Sequence, residues 1–237
     1  MKLAEKKKAL VLIAGDFFDS MQTHNDPRRS PEDLMAKYNV SHYLDALVID
    51  AAHFLSQFKV QYILALGNHE TAVLKNNNTN VIDRLAYHIN VLGGDAIPAG
   101  YGGWVKFFFS RGNGGRKSYD LYYHHGSGGS APVTKGVIQT ARQATYINAD
   151  IVHNGHNHQD YYVPIKQIGL NQQGKLETKL MHFIRTPGYK TSGLENEDRH
   201  GFDIEKIPGV TPRGCCFLEF TWSNGDFYNL DVYKKIA

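Results

Sequence analysis

Oxygen- and nitrogen-bearing side chains cluster in four short stretches: Gly15-Asp16-Phe17-Phe18-Asp19, Gly67-Asn68-His69-Glu70, His124-His125-Gly126 and Gly155-His156-Asn157-His158. Each begins where a strand-like run stops, namely Ala9–Ala14, Val60–Leu66, Ser118–His124 and Ile151–Val152. In open α/β sheets ligands collect at the carboxyl ends of strands, so the four stretches are placed to serve one site. A single Asp or His at a strand end is explained by capping or packing; four such coincidences are not. Hard oxygen and imidazole donors together suit Mn, Fe or Zn. No thiolate takes part, so the pattern is not that of a zinc finger. A glycine beside each group lets the backbone turn tightly under a bound ion.

The elements that must hold these groups are read from hydrophobic periodicity. Ala9-Leu10-Val11-Leu12-Ile13-Ala14 reads as a strand buried on both faces. Ser30-Pro31-Glu32-Asp33 reads as a helix start, with a capping serine, proline in the first turn and acids toward the dipole. A helix is expected over Ser41–Phe58, where Tyr43, Leu44, Leu47, Val48, Ala51 and Leu55 form one apolar stripe. The strand Val60–Leu66 and a helix over Val81–Val91 follow. Strands Trp104–Ser110 and Ser118–His124, a helix over Thr134–Ile147 and a short strand Ile151–His153 complete the alternation. Strands alternating with helices predict βαβ units and a largely parallel sheet. Beyond Tyr161 the runs Tyr161–Gln167, Leu176–Arg185, Cys215–Trp222 and Phe227–Tyr233 lack helices between them, and Ser223-Asn224-Gly225-Asp226 is a hairpin signal. The expected class is therefore α/β, a single domain over residues 1–237 with a βαβ N-terminal half and an antiparallel C-terminal third. A two-sheet α/β sandwich accommodates both.

Composition narrows the function classes. Apolar residues make up 42% and charged residues 21% of the 237, which excludes a disordered or fibrous chain. A net charge of +3 is too mild to point to nucleic acid by itself. No apolar run approaches a membrane span. Lys6-Lys7-Lys8 before Ala9–Ala14 imitates the start of a secretory signal, but the run stops at Gly15-Asp16 without a cleavage site, and a cytoplasmic location is expected. Cys215 and Cys216 are neighbours on a strand-like run, point to opposite faces and offer neither a disulfide framework nor metal-site spacing.

Taken in order, the four stretches resemble successive motifs of the calcineurin-like metallophosphoesterases, over Ala9 to His158. The resemblance implies a two-sheet αββα sandwich and hydrolysis of a phosphomonoester or phosphodiester by a metal-bound hydroxide. It implies two divalent metal ions (Mn, Fe or Zn), with the phosphoester substrate as partner. By position, Asp16 would bridge the metals. Asn68, His125 and His156 would complete the second metal's shell, and His158 would ligate the first. His69 would act as general acid with Asp19 orienting it, and Glu70 would stand behind the ligands. Of His124-His125, the residue directly before glycine is the implied ligand. Such residue types suit the chemistry: a phosphoester is anionic, so cations must neutralise its oxygens and generate the nucleophile, and the leaving alkoxide needs a proton.

Two departures shape the expectation. The family's opening Asp-x-His motif, which supplies two ligands to the first metal, has no counterpart before Asp16. A late-starting chain lacking a central strand, with impaired catalysis, is expected, and the alternative is a binding module that kept the fold. The only Asp-x-His is Asp198-Arg199-His200, far downstream. Secondly, Ser20-Met21 follow Asp19 where the phosphoprotein phosphatase branch has arginine and glycine, and Phe17-Phe18 resembles the bacterial, phage and repair-nuclease branches. A DNA nuclease of the repair-exonuclease type is thus the alternative activity. Gly169 to Lys175 nearly spells a nucleotide P-loop, but Leu176 and a strand–turn–strand context mark a hairpin turn. The aromatic runs Phe107–Phe109 and Tyr119–Tyr123 are expected in the core, and His153 is an intermediate case beside the ligand turn.

Overall fold

A computed structural model describes residues 1–20, 26–27, 34–110, 116–129, 134, 136–190, 212–223 and 226–236. The predicted helix start at 30–33, the Asp198-Arg199-His200 stretch and the hairpin turn at 224–225 lie outside these residues. The fold is mixed α/β, as the alternation predicts, and divides into two compact units, Met1–Gly103 and Trp104–Ala237.

The first unit carries helix α1 (Lys2–Lys6), strand β1 (Leu10–Ile13), a 3₁₀ turn over Ala36–Tyr38 and helix α2 (Tyr43–Ser56). Strand β2 (Gln61–Leu64), helices α3 (Asn68–Asn77) and α4 (Val81–Val91) and strand β3 (Asp95–Pro98) follow. The three strands form one parallel sheet in the order β1-β2-β3, with Leu10 beside Gln61 and Gln61 beside Asp95. The core lies between the sheet and its helices: Val48, Ala52 and Leu55 of α2, Tyr62 and Leu64 of β2, and Ile82, Leu85 and Ile89 of α4 are all buried. Strand β2 is central and alternates toward that core. Strand β1 departs from the expectation of burial on both faces, because it ends the sheet and all four of its residues are partly exposed.

Helix α4 keeps its predicted bounds because both kinds of local signal agree. Its apolar residues recur at helical spacing, and the Asn80 side chain accepts from the N–H groups of Ile82 and Asp83 at 3.0 and 3.3 Å. Helix α3 escapes the periodicity reading because its sequence is polar, with Val73 and Glu70 alone fully buried.

The second unit holds all but the first two residues of β4 (Gly102–Ser110), with β5 (Arg116–His124), helix α5 (Val137–Tyr146), β6 (Ile151–Asn154), β7 (Tyr161–Leu170), β8 (Leu176–Arg185), β9 (Gly214–Ser223) and β10 (Asp226–Ile236). Five strands form a mixed sheet in the order β4-β5-β6-β8-β7, and β9 and β10 pair antiparallel as a separate ribbon. β5, β6 and β8 run parallel, so the two strands that end in His124 and Asn154 deliver the following residues to the same edge. Helix α5 is fastened to that edge by a reciprocal amide pair. Gln143 Nε2 donates to Asn154 Oδ1 at 3.0 Å and Asn154 Nδ2 to Gln143 Oε1 at 2.7 Å. Beneath α5, Val152, Met181 and Phe183 make a small core. Phe107, Phe109 and Tyr119 turn inward against Phe220, as expected, whereas Phe108 between them is exposed. The P-loop look-alike is the β7–β8 turn, where Asn171 Oδ1 accepts from the N–H groups of Gln173 and Lys175. Among the described residues no helix is long and apolar enough to cross a membrane.

Removing the Asn80 cap tests the reading of α4. Asn80→Ala orphans two N–H groups and is expected to cost about 0.5–2 kcal/mol in urea unfolding.

Candidate functional site

In the first unit the groups meet at the C-terminal ends of β1 and β2. Glu70 organises them. It is fully buried and sits at the third position of α3, from which it reaches back to the Gly67 N–H at 2.8 Å, the acidic half of a capping box. The same oxygen accepts from the Asp16 N–H at 3.0 Å, and the other from Phe18 N–H at 2.9 Å. Three N–H groups from two loops thus end on one carboxylate. Burial pushes the Glu70 carboxyl up, opposed by the N–H groups of Phe18 and Gly67, with the nearby Asp16 charge adding to the rise.

Asp16 is bound in return. Its Oδ1 accepts from the His69 N–H at 3.0 Å. A methyl group on Gly67 would overlap Asp16, at both its side-chain oxygen and its backbone nitrogen, so only glycine fits at that helix entrance. The His69 ring lies between two carboxylates, with Nε2 3.9 Å from Asp16 Oδ2 and Nδ1 3.6 Å from Asp19 Oδ1. Asn68 begins α3 beside it. Tyr101 belongs to the same neighbourhood: burial raises its hydroxyl pKa, and the charges of Asp16 and Glu70 raise it further. The Gly-x-x-Glu spacing was the legible signal for Glu70. Tyr101, on a loop without a motif, carried none.

In the second unit His125, His156 and His158 sit at the ends of β5 and β6. The Gly155 N–H donates to the His125 carbonyl at 2.9 Å, stitching the two turns together. The rings of His125 and His156 are edge to face with centroids 5.2 Å apart, and His125 is buried. His124 faces elsewhere: its Nδ1 accepts from the Gly126 N–H at 2.9 Å and its ring stacks near Tyr122. The His158 ring packs on Gly188, where a Cβ would come within 3.1 Å of it. His153 bonds Thr186 Oγ1 at 3.0 Å through Nε2, and its buried Nδ1 has no partner. Burial, the Arg185 charge and the His125 charge push its pKa down to about 4.

The backbone marks the same residues. Among the described residues, non-glycine positive φ occurs at Lys8, Asp16, Asn78, His156 and His158. Asn78 caps α3. Asp16, His156 and His158 are at +51°, +74° and +55°, a conformation that costs of order 1 kcal/mol or more at each and collects at functional positions. A carboxylate and imidazoles held in this way have the donor chemistry of a divalent transition metal.

A model of the calcineurin-like phosphoesterases matches residues 2–160, more than half of the chain. The chain belongs to that family. Membership implies a hydrolase that works on phosphoesters with divalent metal ions. Searches of curated proteins and of solved structures return no match.

Two outcomes test the site's construction. Glu70→Gln leaves one acceptor oxygen for three N–H groups and is expected to cost about 1–3 kcal/mol by urea unfolding. His153 resists protonation when folded, so stability is full above its ordinary value near 6.5 and falls as pH drops from there toward 4. Its share of that loss is at most about 3 kcal/mol, and His153→Gln is expected to flatten the profile between pH 7 and pH 4.

Proposed function

We propose that this chain hydrolyses a small phosphomonoester or phosphodiester in the cytoplasm, using water activated by two divalent ions. On the order of the family's motifs, Asp16, Asn68, His125 and His156 would serve one ion and Asp16 and His158 the other. The observation that carries this reading is the left-handed backbone at Asp16, His156 and His158. A fold retains such conformations when the side chains they aim have a task.

Metals bound there would draw charge from the phosphoryl oxygens and lower the pKa of a water molecule. The chain's own residues do the rest. His69 stands beside Asp16 and is placed to hand a proton to the leaving oxygen, while Asp19, 3.6 Å from its Nδ1, orients the ring. Asn68 offers a neutral amide oxygen, which keeps the site more cationic than another carboxylate would. Glu70 fixes the Asp16 loop against α3 and so sets the distance between ligand and acid.

Replacing Asp16 by Asn keeps an acceptor for the His69 N–H and a residue at ease with positive φ, but removes the charge. It is expected to lower the Mn, Fe or Zn content measured by elemental analysis. His69→Asn is expected to leave that content unchanged and to slow hydrolysis of bis-p-nitrophenyl phosphate by about 10²–10⁴-fold. Undiminished turnover would remove His69 as the acid. Less than one ion per loaded wild-type chain would favour a binding module on the same fold.

A further inference from the structure

The last residue of β8, Arg185, is 1% exposed. Its Nη2 donates to Gln139 Oε1 at 2.8 Å, on the first turn of α5. Gln139 in turn donates to the Ser127 carbonyl, in the loop that follows His125. The other two nitrogens of the guanidinium, Nε and Nη1, are buried without a hydrogen-bond partner. Tyr161 lies to one side, with its ring centroid 5.2 Å from Cζ. No carboxylate among the described residues pairs with this arginine; burial pushes its pKa down, and its interaction with the Tyr161 hydroxyl opposes the fall.

What surrounds Nη1 includes donors. Gly136, at +78° the N-cap of the ten-residue helix α5, packs so closely on Nη1 that a methyl group there would overlap it. That helix has no side-chain cap and no acidic residue in its first turn to offset its positive end, although the Val137 N–H donates to the Thr134 carbonyl at 2.8 Å. The Asn157 amide nitrogen, from the turn that bears His156 and His158, borders the same glycine, and its Oδ1 is buried without a partner. A cation, a helix N-terminus and an amide therefore converge where the described residues supply no anion. An uncompensated buried charge is costly, and a buried guanidinium is otherwise found paired.

We propose that Arg185, with the N-terminus of α5, is a binding site for a phosphoryl oxyanion, taken from the substrate or from inorganic phosphate. Nη1, which faces Gly136, can give a phosphoryl oxygen a charge-assisted bond, whereas the unpartnered Nε lies on the other side of the guanidinium. The N-terminal end of α5 adds a dipole of the right sign. As a substrate subsite this rests on the hydrolase reading. As an anion site it does not.

The first measurement is thermal unfolding with chelator present, so that phosphate cannot act through a metal. Wild type is compared in sodium phosphate and in sodium chloride of equal ionic strength. At about ten times Kd, phosphate is expected to raise Tm by roughly 3 °C or more. Arg185→Met is expected to lose this response, and to melt no lower than wild type in chloride because it removes an unpaired buried charge. A wild type indifferent to phosphate, a variant that keeps the response, or a variant that unfolds or melts lower in chloride would each overturn the proposal. The last result would make Arg185 a structural donor to Gln139.

The second measurement uses the Mn-loaded protein with bis-p-nitrophenyl phosphate. Arg185→Met is expected to raise KM tenfold or more with metal content unchanged and kcat less affected. An unchanged KM would confine the site to free phosphate and overturn its role as a substrate subsite. Absence of turnover in wild type would count against the hydrolase reading, leaving the melting comparison to decide the anion site.

Discussion

The carboxylate of Glu70 receives the N–H groups of Asp16, Phe18 and Gly67, and through them the turn after β1 and the start of α3 become one rigid piece. Every distance in the first unit's site follows from that junction. Asp16 is presented with its side chain toward His69, His69 is returned by its own N–H to Asp16, and the absence of a side chain on Gly67 allows the approach. A buried carboxylate that accepts three backbone donors is stiff: rotating it out would orphan all three. The geometry is therefore set before any ion or substrate arrives.

The same economy is visible in the backbone. Asp16, His156 and His158 occupy conformations that glycine or asparagine would adopt more easily, and each is retained as an acid or an imidazole. The turns after β5 and β6 are stitched to one another by the bond from Gly155 to the His125 carbonyl, and to α5 through Asn154 and Gln143. Stability is given up at these three residues and recovered in the hydrogen bonds behind them.

Much of this was legible from residue order. Strands and helices with clear periodicity, such as α4 and β8, fall where their apolar residues place them, because packing and local capping agree there. The four glycine-punctuated motifs fall at strand ends, after β1, β2, β5 and β6, as residue order indicates. What escaped depends on tertiary neighbours. α3 is polar along most of its length and is held by Glu70 and Val73, and β3 is a four-residue strand whose ends resemble turn sequence. The exposure of β1 follows from sheet order, which a buried-looking aliphatic run does not disclose. Arg185 looked like an ordinary strand terminus, since nothing in a linear sequence shows that a cation will be enclosed. The division into two compact units likewise arises from contacts between distant segments.

The parallel sheet of the first unit has a kinetic side. Leu10 must find Gln61, and Gln61 must find Asp95, with no hairpin to bring any pair together. Each closure spends chain entropy across a whole α-helical crossover before the first ladder bond forms. Assembly of β1-β2-β3 is thus set by encounter of remote segments, and the unit belongs among slowly maturing topologies. During that interval the aliphatic strand Leu10–Ile13 is open to association with other chains, which makes dilution and low temperature the sensible conditions for refolding it.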